Sequence, residues 1–214
     1  MRTLVVTLTA CILCTSLLSQ TDQAIDQDFD PKAQFGFNLG VNYTHLLTDG
    51  LPSDADVNND FGVRIGILTE FPVHKYVSLS PKAELSFHGS SIDMPIVDVF
   101  SPEQTPIGNY KVAPVFLEIM NHFVIKNNTK ASSTYFLIGP NLKIPIQSAN
   151  KNHLSFNEKL DFAVDFGIGF DKSLTHFRFA PEIRYSFGLM NLNEATNIES
   201  VHLHNISLLF NFKG

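Results

Sequence analysis

Cysteine is almost missing from this chain, and tryptophan is missing altogether. The two cysteines, Cys11 and Cys14, both lie within the first 19 residues, which have the features of an export signal. Once that segment is removed, the mature chain contains no cysteine. A disulfide framework, a zinc site built on thiolates and a thiol nucleophile are then excluded.

Charge is also scarce. Only 17% of the residues are charged, and 15 basic side chains stand against 21 acidic ones, for a net charge of −6. Recognition of nucleic acid needs a concentrated basic face, so we expect no nucleic-acid partner. The chain instead has 44% hydrophobic residues, including 19 Phe. This composition is typical of a protein whose apolar surface is large for its size.

Residues 1–19 are predicted to be a signal peptide. Arg2 supplies the positive charge, an apolar stretch runs from Leu4 to Leu18, and cleavage is expected after Ser19. The stretch is shorter than the roughly 20 residues that a spanning helix needs, and no later apolar run is long enough either. A second kind of processing remains open, because Leu8-Thr9-Ala10-Cys11 resembles a lipobox in which Cys11 would be acylated.

Residues 20–34 are polar and acidic. Their acidic side chains are Asp22, Asp26, Asp28 and Asp30. A segment with few apolar residues and a net charge does not bury enough surface to fold alone, so we predict a loosely held N-terminal arm in the periplasm. The rest of the chain, residues 35–214, is predicted to be one domain.

That domain is built from segments in which apolar and polar residues alternate. In residues 35–44, Phe, Phe, Leu, Val and Tyr alternate with Gly, Asn, Gly, Asn and Thr. A period of two indicates a strand with one apolar and one polar face. Seven more segments follow the pattern: residues 61–71, 77–87, 115–126, 135–146, 160–171, 176–188 and 204–212.

The connections between these segments alternate between long and short. The long ones are residues 47–60, 88–110, 147–159 and 189–200, and the short ones are residues 72–76, 127–134 and 172–175. Barrels of the bacterial outer membrane have long extracellular loops and short periplasmic turns. The sequence therefore predicts an all-β fold, a closed antiparallel up-and-down transmembrane β-barrel of about eight strands, with its N-terminus in the periplasm.

Alternation alone does not say which face points outward, since a soluble barrel such as a lipocalin would put its apolar face inside. The polar set favours the inverted arrangement, because it is rich in Gly and in charges of both signs. We predict a lumen charge network of five cations and six anions: Arg64, Glu70, Lys82, Glu84, Glu118, Lys143, Asp161, Asp165, Arg178, Glu182 and Arg184. Aromatic residues recur at the strand ends, where interfacial girdles lie. Four prolines within strands suggest bulges.

The segments also resemble a known family. Asp165-Phe-Gly-Ile-Gly-Phe-Asp171 and Phe177-Arg-Phe-Ala-Pro-Glu-Ile-Arg-Tyr-Ser-Phe-Gly-Leu189 look like the corresponding strands of the PorT-type outer-membrane barrels. The resemblance implies an accessory or assembly role in type IX protein secretion, with outer-membrane lipid and other secretion-system proteins as partners. The acidic arm and the apolar residues 94–100 are the candidate contact regions. The alternative is a structural or surface-binding barrel whose extracellular loops contact external partners.

The sequence offers little catalytic chemistry. Five histidines lie near the predicted loops: His45, His88, His153, His202 and His204. His202 and His204 lack a nearby carboxylate pair, which makes them weak metal ligands, and we interpret the five as rim residues. Three aspartates share one predicted strand face: Asp161, Asp165 and Asp171. Because Arg178 and Arg184 are expected on the adjacent strand, we predict ion pairs rather than a calcium site. We expect no enzyme activity, no catalytic or metal site and no cofactor.

Overall fold

The structure is a computed structural model that describes residues 32–50, 55–95, 107–111, 115–127, 132–146, 160–192 and 200–214. The predicted signal peptide, most of the acidic arm, His153 and residues 96–100 lie outside these ranges, so the predictions about them stay predictions. Within the described ranges, no helix is long and apolar enough to cross a membrane.

Eight strands form a closed barrel in which each strand pairs with the previous and the next barrel strand along the chain. Their bounds are β1 Gln34–Asp49, β3 Asp60–His74, β4 Val77–Phe87, β7 Val115–Lys126, β8 Ser132–Pro145, β9 Asp161–Ser173, β10 Arg178–Gly188 and β11 Ser200–Lys213. All eight predicted segments fall on these strands. The predicted closed, antiparallel, up-and-down barrel is confirmed.

The first and last strands close the barrel. β1 runs antiparallel to β11, from Gly36 opposite Lys213 to Asp49 opposite Ser200. An unpaired edge would leave backbone groups without partners in lipid, so closure is required of any sheet that spans a membrane. The start of β1, the end of β11 and the short connections lie at one end, which we call the short-turn end. The other is the long-loop end.

The long-loop end contains strands that the sequence did not predict. Three short strands, β2 Asp56–Asn58, β5 Ser91–Pro95 and β6 Ile107–Lys111, form a separate sheet in the order β2-β5-β6. They lie in two connections that we predicted to be polar loops. β1 also continues five residues past the predicted end at position 44. Part of the long-loop end is therefore regular β-structure.

The two faces of the wall differ as an outer-membrane barrel requires. On β3, Phe61 is 69% exposed and Ile67 is 67% exposed, whereas Arg64 between them is 2% exposed. The same alternation of apolar outside and polar inside runs along the other barrel strands. The lipocalin-like arrangement is therefore wrong for this chain.

Three of the four prolines within predicted strands lie in gaps of the hydrogen-bond ladder without producing the bulges that we predicted, and the fourth, Pro114, lies outside the described residues. Pro81 lies in a gap between β3 and β4, yet the register is the same on both sides of it, and Pro140 and Pro181 lie in similar gaps. Proline has no N–H to donate. At Pro81 the hydroxyl of Ser80 donates instead to the Thr69 carbonyl, at 2.9 Å. The shift in register between β3 and β4 occurs elsewhere, between Pro72 and His74.

Candidate functional site

The predicted network residues all lie on barrel strands, with their side chains on the lumen side. Ten of the eleven are buried, and Arg178, at the short-turn end, is half-buried. Buried charges are expensive unless they are paired, with an effective penalty of several kcal/mol per ion. The ion pairs that these residues make therefore decide whether the lumen is stable.

Arg184 is at the centre of the network. Its guanidinium donates to both carboxylate oxygens of Glu84, at 3.0 and 3.1 Å. It also donates twice to Oε1 of Glu182, from Nε at 2.9 Å and from Nη2 at 2.7 Å. A planar guanidinium fits two carboxylates in this way because its donors form a rigid fork.

Glu182 connects this centre to the short-turn side of the lumen. Lys82 lies 3.1 Å from its Oε2, and the Tyr135 hydroxyl donates to the same oxygen at 2.9 Å. Asn211 donates to it as well, at 3.3 Å. Tyr135 reaches this position because Gly169 on the neighbouring strand has no side chain. A Cβ added at Gly169 would overlap the tyrosine ring.

A second group of charges lies toward the long-loop end. Arg64 pairs with Glu118, and its Nη1 lies 3.6 Å from Glu84. Asn141 donates to Glu118 at 2.7 Å and to Asp165 at 3.2 Å. The network therefore extends across the lumen from strand to strand.

His122 belongs to this group, although the predicted network did not include it. Its Nε2 lies 3.0 Å from Asp165, and Ser186 donates to the other oxygen of that carboxylate at 2.6 Å. The sequence could have predicted this position, because His122 lies four residues after Glu118 on β7 and therefore on the same face of the strand.

The short-turn end is closed by a cluster of five charges, three of which the predicted network lacked. Lys213 bridges Glu70 at 2.7 Å and Asp171 at 2.8 Å, while Lys126 pairs with the same two carboxylates. Arg178 donates to Asp171 at 2.9 Å. Lys126 and Lys213 are the last residues of their strands. Lys126 is the last residue of the predicted segment 115–126, whereas Lys213 lies one residue beyond the predicted end of the last segment at 212.

At the long-loop end the lining changes from charged to apolar. Lys143 and Asp161 form the outermost ion pair, at 3.6 Å. Close to this pair, His88 follows β4 and contacts Phe116 edge-on. Burial, with Arg64 and Lys143 nearby, lowers the pKa of His88 to about 3. Buried apolar side chains cap this end: Leu46, Ile92, Phe116, Leu192, Val201 and Leu203.

The complete network is balanced. The described ranges place seven cations and seven anions in the lumen; six of the anions pair with these cations, and the seventh, Asp165, pairs with His122. The cations are Arg64, Lys82, Lys126, Lys143, Arg178, Arg184 and Lys213, and the anions are Glu70, Glu84, Glu118, Asp161, Asp165, Asp171 and Glu182. A cavity of about 10 Å³ beside Lys82, Tyr135 and Asn211 has room for about one water molecule. Side chains fill an eight-stranded barrel of this kind.

The outer wall has aromatic residues at both ends. At the short-turn end, Phe212 stacks on Phe37 with ring centroids 5.0 Å apart and contacts Phe177 and Phe179. At the long-loop end, Tyr43 contacts Phe61 at 5.1 Å. These positions match the interfacial girdles of outer-membrane barrels.

The remaining predicted rim histidines lie just beyond the girdle at the long-loop end. His45 on β1 is directly opposite His204 on β11, and His202 is opposite Leu47. The Tyr185 hydroxyl and Nδ1 of His204 are 2.7 Å apart. Among the residues that the structure describes, no group of three His, Cys, Asp or Glu is arranged to hold a metal ion.

A closed eight-stranded wall with an apolar exterior, aromatic girdles and a charged, filled interior defines a small transmembrane barrel of the outer-membrane class. The sequence agrees with that assignment, because residues 19–194 match the family described as outer membrane protein beta-barrel domain. The chain belongs to this family and is an outer-membrane protein. No curated protein matches the sequence.

Solved structures of similar shape are distant in sequence. Neisserial surface protein A is 9% identical, with a TM-score of 0.53 over 85% of this chain and 97% of that chain. The outer membrane protein OprG from Pseudomonas aeruginosa is 11% identical, with a TM-score of 0.47 over 86% and 97%. Ail, the attachment invasion locus protein of Yersinia pestis, is 10% identical, with a TM-score of 0.45 over 86% and 99%. The likeness to the neisserial protein shows the fold.

Proposed function

We propose that this protein is a sealed outer-membrane barrel that binds an external protein partner through its long-loop end and performs no chemistry of its own. The observation that carries the proposal is the additional sheet β2-β5-β6 at that end. A barrel whose only task is to span the membrane has no need of ordered strands beyond it.

The sheet is attached to the barrel rather than loosely tethered. The Leu46 backbone N–H donates to the Asn59 side chain at 2.9 Å, and the Asp60 N–H donates to Ser90 at 3.2 Å. Ile92 of β5 is fully buried. A surface held in this way is pre-organised, so a partner binds it at a low entropic cost.

The orientation is part of the same proposal. The long-loop end faces the outside, and the short-turn end, where β1 starts, faces the periplasm. This assignment follows the general rule for bacterial barrels. A protease added to intact cells should cut tags inserted between β8 and β9 and should spare tags inserted between β9 and β10.

Replacing residues 91–111 with a short Gly/Ser linker tests the function. The variant should still insert and migrate as a heat-modifiable barrel, but cells that display it should lose binding to the external protein ligands that wild-type cells retain. The matched control replaces residues 147–159, which form the next long connection. Equal loss from both replacements, or no binding by the wild type to any external protein, would contradict the proposal.

A second candidate is favoured by the resemblance of residues 165–171 and 177–189 to PorT-type barrels. These residues lie on β9, β10 and the turn between them, and β10 runs from the short-turn end to the long-loop end of the barrel. In this hypothesis the protein is an accessory component of type IX secretion and contacts other secretion components from the periplasmic side. Deleting the gene should then abolish export of the secreted cargo, whereas normal export after deletion would leave only the surface-binding function.

A further inference from the structure

The outward face of the β1–β11 pair has an unusual composition at the long-loop end. Moving outward along the two strands, the facing pairs are Tyr43 with Ile206, His45 with His204, Leu47 with His202, and Asp49 with Ser200. The surface therefore changes from apolar, through three imidazoles, to carboxylate and hydroxyl. This is the order of environments that a membrane offers from its hydrocarbon region through its headgroups to water.

We propose that His45, His202 and His204 form a binding site for the phosphate of a lipid headgroup at the membrane surface. Imidazole N–H groups donate hydrogen bonds to phosphate oxygens, and each gains a positive charge when it is protonated. The proposal does not depend on the proposed function, because it concerns the wall of the barrel and not its outer sheet.

The geometry supports one shared ligand. Side chains directly opposite each other on paired strands have Cβ atoms about 5 Å apart, and diagonal neighbours are about 7–8 Å apart. His45 and His204 are a direct pair, and His45 and His202 are a diagonal pair. A phosphate group between the imidazoles of His45 and His202 can accept from both.

His204 holds the site in place. It is 5% exposed, because Phe187 contacts its ring edge-on at 4.6 Å and Tyr185 hydrogen-bonds to Nδ1. When the tyrosine hydroxyl donates to Nδ1, the ring proton is on Nε2, which is then a donor. His45 is exposed and His202 is half-buried, so both are open to a headgroup.

Protonation of the imidazoles makes the site depend on pH. The other titratable side chains on this part of the outward face are Tyr43, Tyr185 and Asp49, and Tyr185 is hydrogen-bonded to His204. Asp49 lies two residues beyond Leu47 and accepts a hydrogen bond from Ser200 at 3.1 Å. Its carboxylate repels an anion, so the anion is confined to the side of the three histidines that is nearer Tyr43. Because an imidazole gains a positive charge when it is protonated, binding of an anionic headgroup should strengthen as the pH falls.

The test measures lipid selectivity of the full-length barrel in phosphatidylcholine vesicles that contain a trace of spin-labelled lipid. Wild-type protein should prefer phosphatidylglycerol, a phosphodiester whose charge is constant over this range, to phosphatidylcholine at pH 6, and the preference should fall at pH 8 by roughly fivefold for each histidine charge lost. His45→Gln with His202→Gln should abolish the pH-dependent preference. The matched control is His176→Gln, an exposed histidine in the turn between β9 and β10, which should change nothing.

A second pair of variants keeps the test informative. His45→Arg with His202→Arg should keep the preference and lose its pH dependence, since arginine stays charged. Adding inorganic phosphate distinguishes a site for a lipid headgroup from a site for a free anion. Millimolar phosphate should abolish the lipid preference only if the site binds the free anion. That result, or a glutamine double variant that keeps the wild-type preference at pH 6, would overturn the proposal.

Discussion

Replacing Arg184 with Met tests whether the lumen charges act as a network. Arg184 is fully buried and donates four hydrogen bonds to carboxylates, two to Glu84 and two to Glu182. Methionine is also long and flexible, so it occupies much of the same space without a charge. The substitution therefore removes the cation while both carboxylates remain in the lumen.

The size of the loss in stability depends on which partners Glu84 and Glu182 keep. Breaking a buried ion pair by removing one partner costs about 3–5 kcal/mol. Glu182 keeps Lys82 at 3.1 Å, and Glu84 keeps Arg64 at 3.6 Å. Because neither carboxylate is left alone, we expect the lower limit, a loss of about 3 kcal/mol in the free energy of unfolding. That corresponds to roughly a hundredfold change in the folding equilibrium.

Urea unfolding of the barrel in lipid vesicles, followed by the loss of heat-modified migration on gels, measures this difference. The matched control is Arg178→Met. Arg178 is half-buried, and its partner Asp171 keeps Lys126 and Lys213. An ion pair that solvent reaches contributes about 1 kcal/mol or less, so the control should lose little stability.

Adding Glu84→Gln to Arg184→Met should restore part of the lost stability, because it removes a buried carboxylate that has lost its closest cation and keeps only Arg64, at 3.6 Å. A loss of stability from Arg184→Met no larger than that from Arg178→Met, or further destabilisation by the second substitution, would contradict this explanation. Either result would mean that packing, and not charge pairing, holds this layer of the lumen.

Three further predictions concern the same interior. Purified protein in planar bilayers should show no steady conductance of porin size, because paired side chains fill the lumen; stable large openings would contradict this. Gly169→Ala should destabilise the barrel by about 1–3 kcal/mol, since the new methyl group overlaps the Tyr135 ring, and the cost should largely disappear in a Tyr135→Ala background. The unfolded chain protonates His88 near pH 6.5 but the folded one only near pH 3, so stability should fall as pH drops through that window. His88→Gln should flatten that part of a stability–pH profile, and an unchanged profile would show that other groups dominate it.

Much of the site was predictable because a strand has a period of two. Once Arg64 is known to face the lumen, every second residue of β3 is known to face it as well. Residues paired across neighbouring strands lie on the same face, so the assignment extends to those strands. The predicted network lacked Lys126 and Lys213, which are the last residues of their strands, and Asp171, for which the sequence had suggested an ion pair without a place in the network. His122 was passed over because a histidine on a polar face gives no sign of its partner, Asp165.

The sequence alone determined the number of barrel strands, the residues that share each face of a strand and the end that carries the long connections. These are local properties, because they depend on the order of apolar and polar residues along each segment. Only the tertiary structure decided which charges meet, since Lys213 reaches Glu70 across 143 positions of the chain once β11 has closed on β1. It also decided that β2, β5 and β6 form a sheet. Strands of three to five residues are too short for a periodic signal, and they exist because they pair with one another.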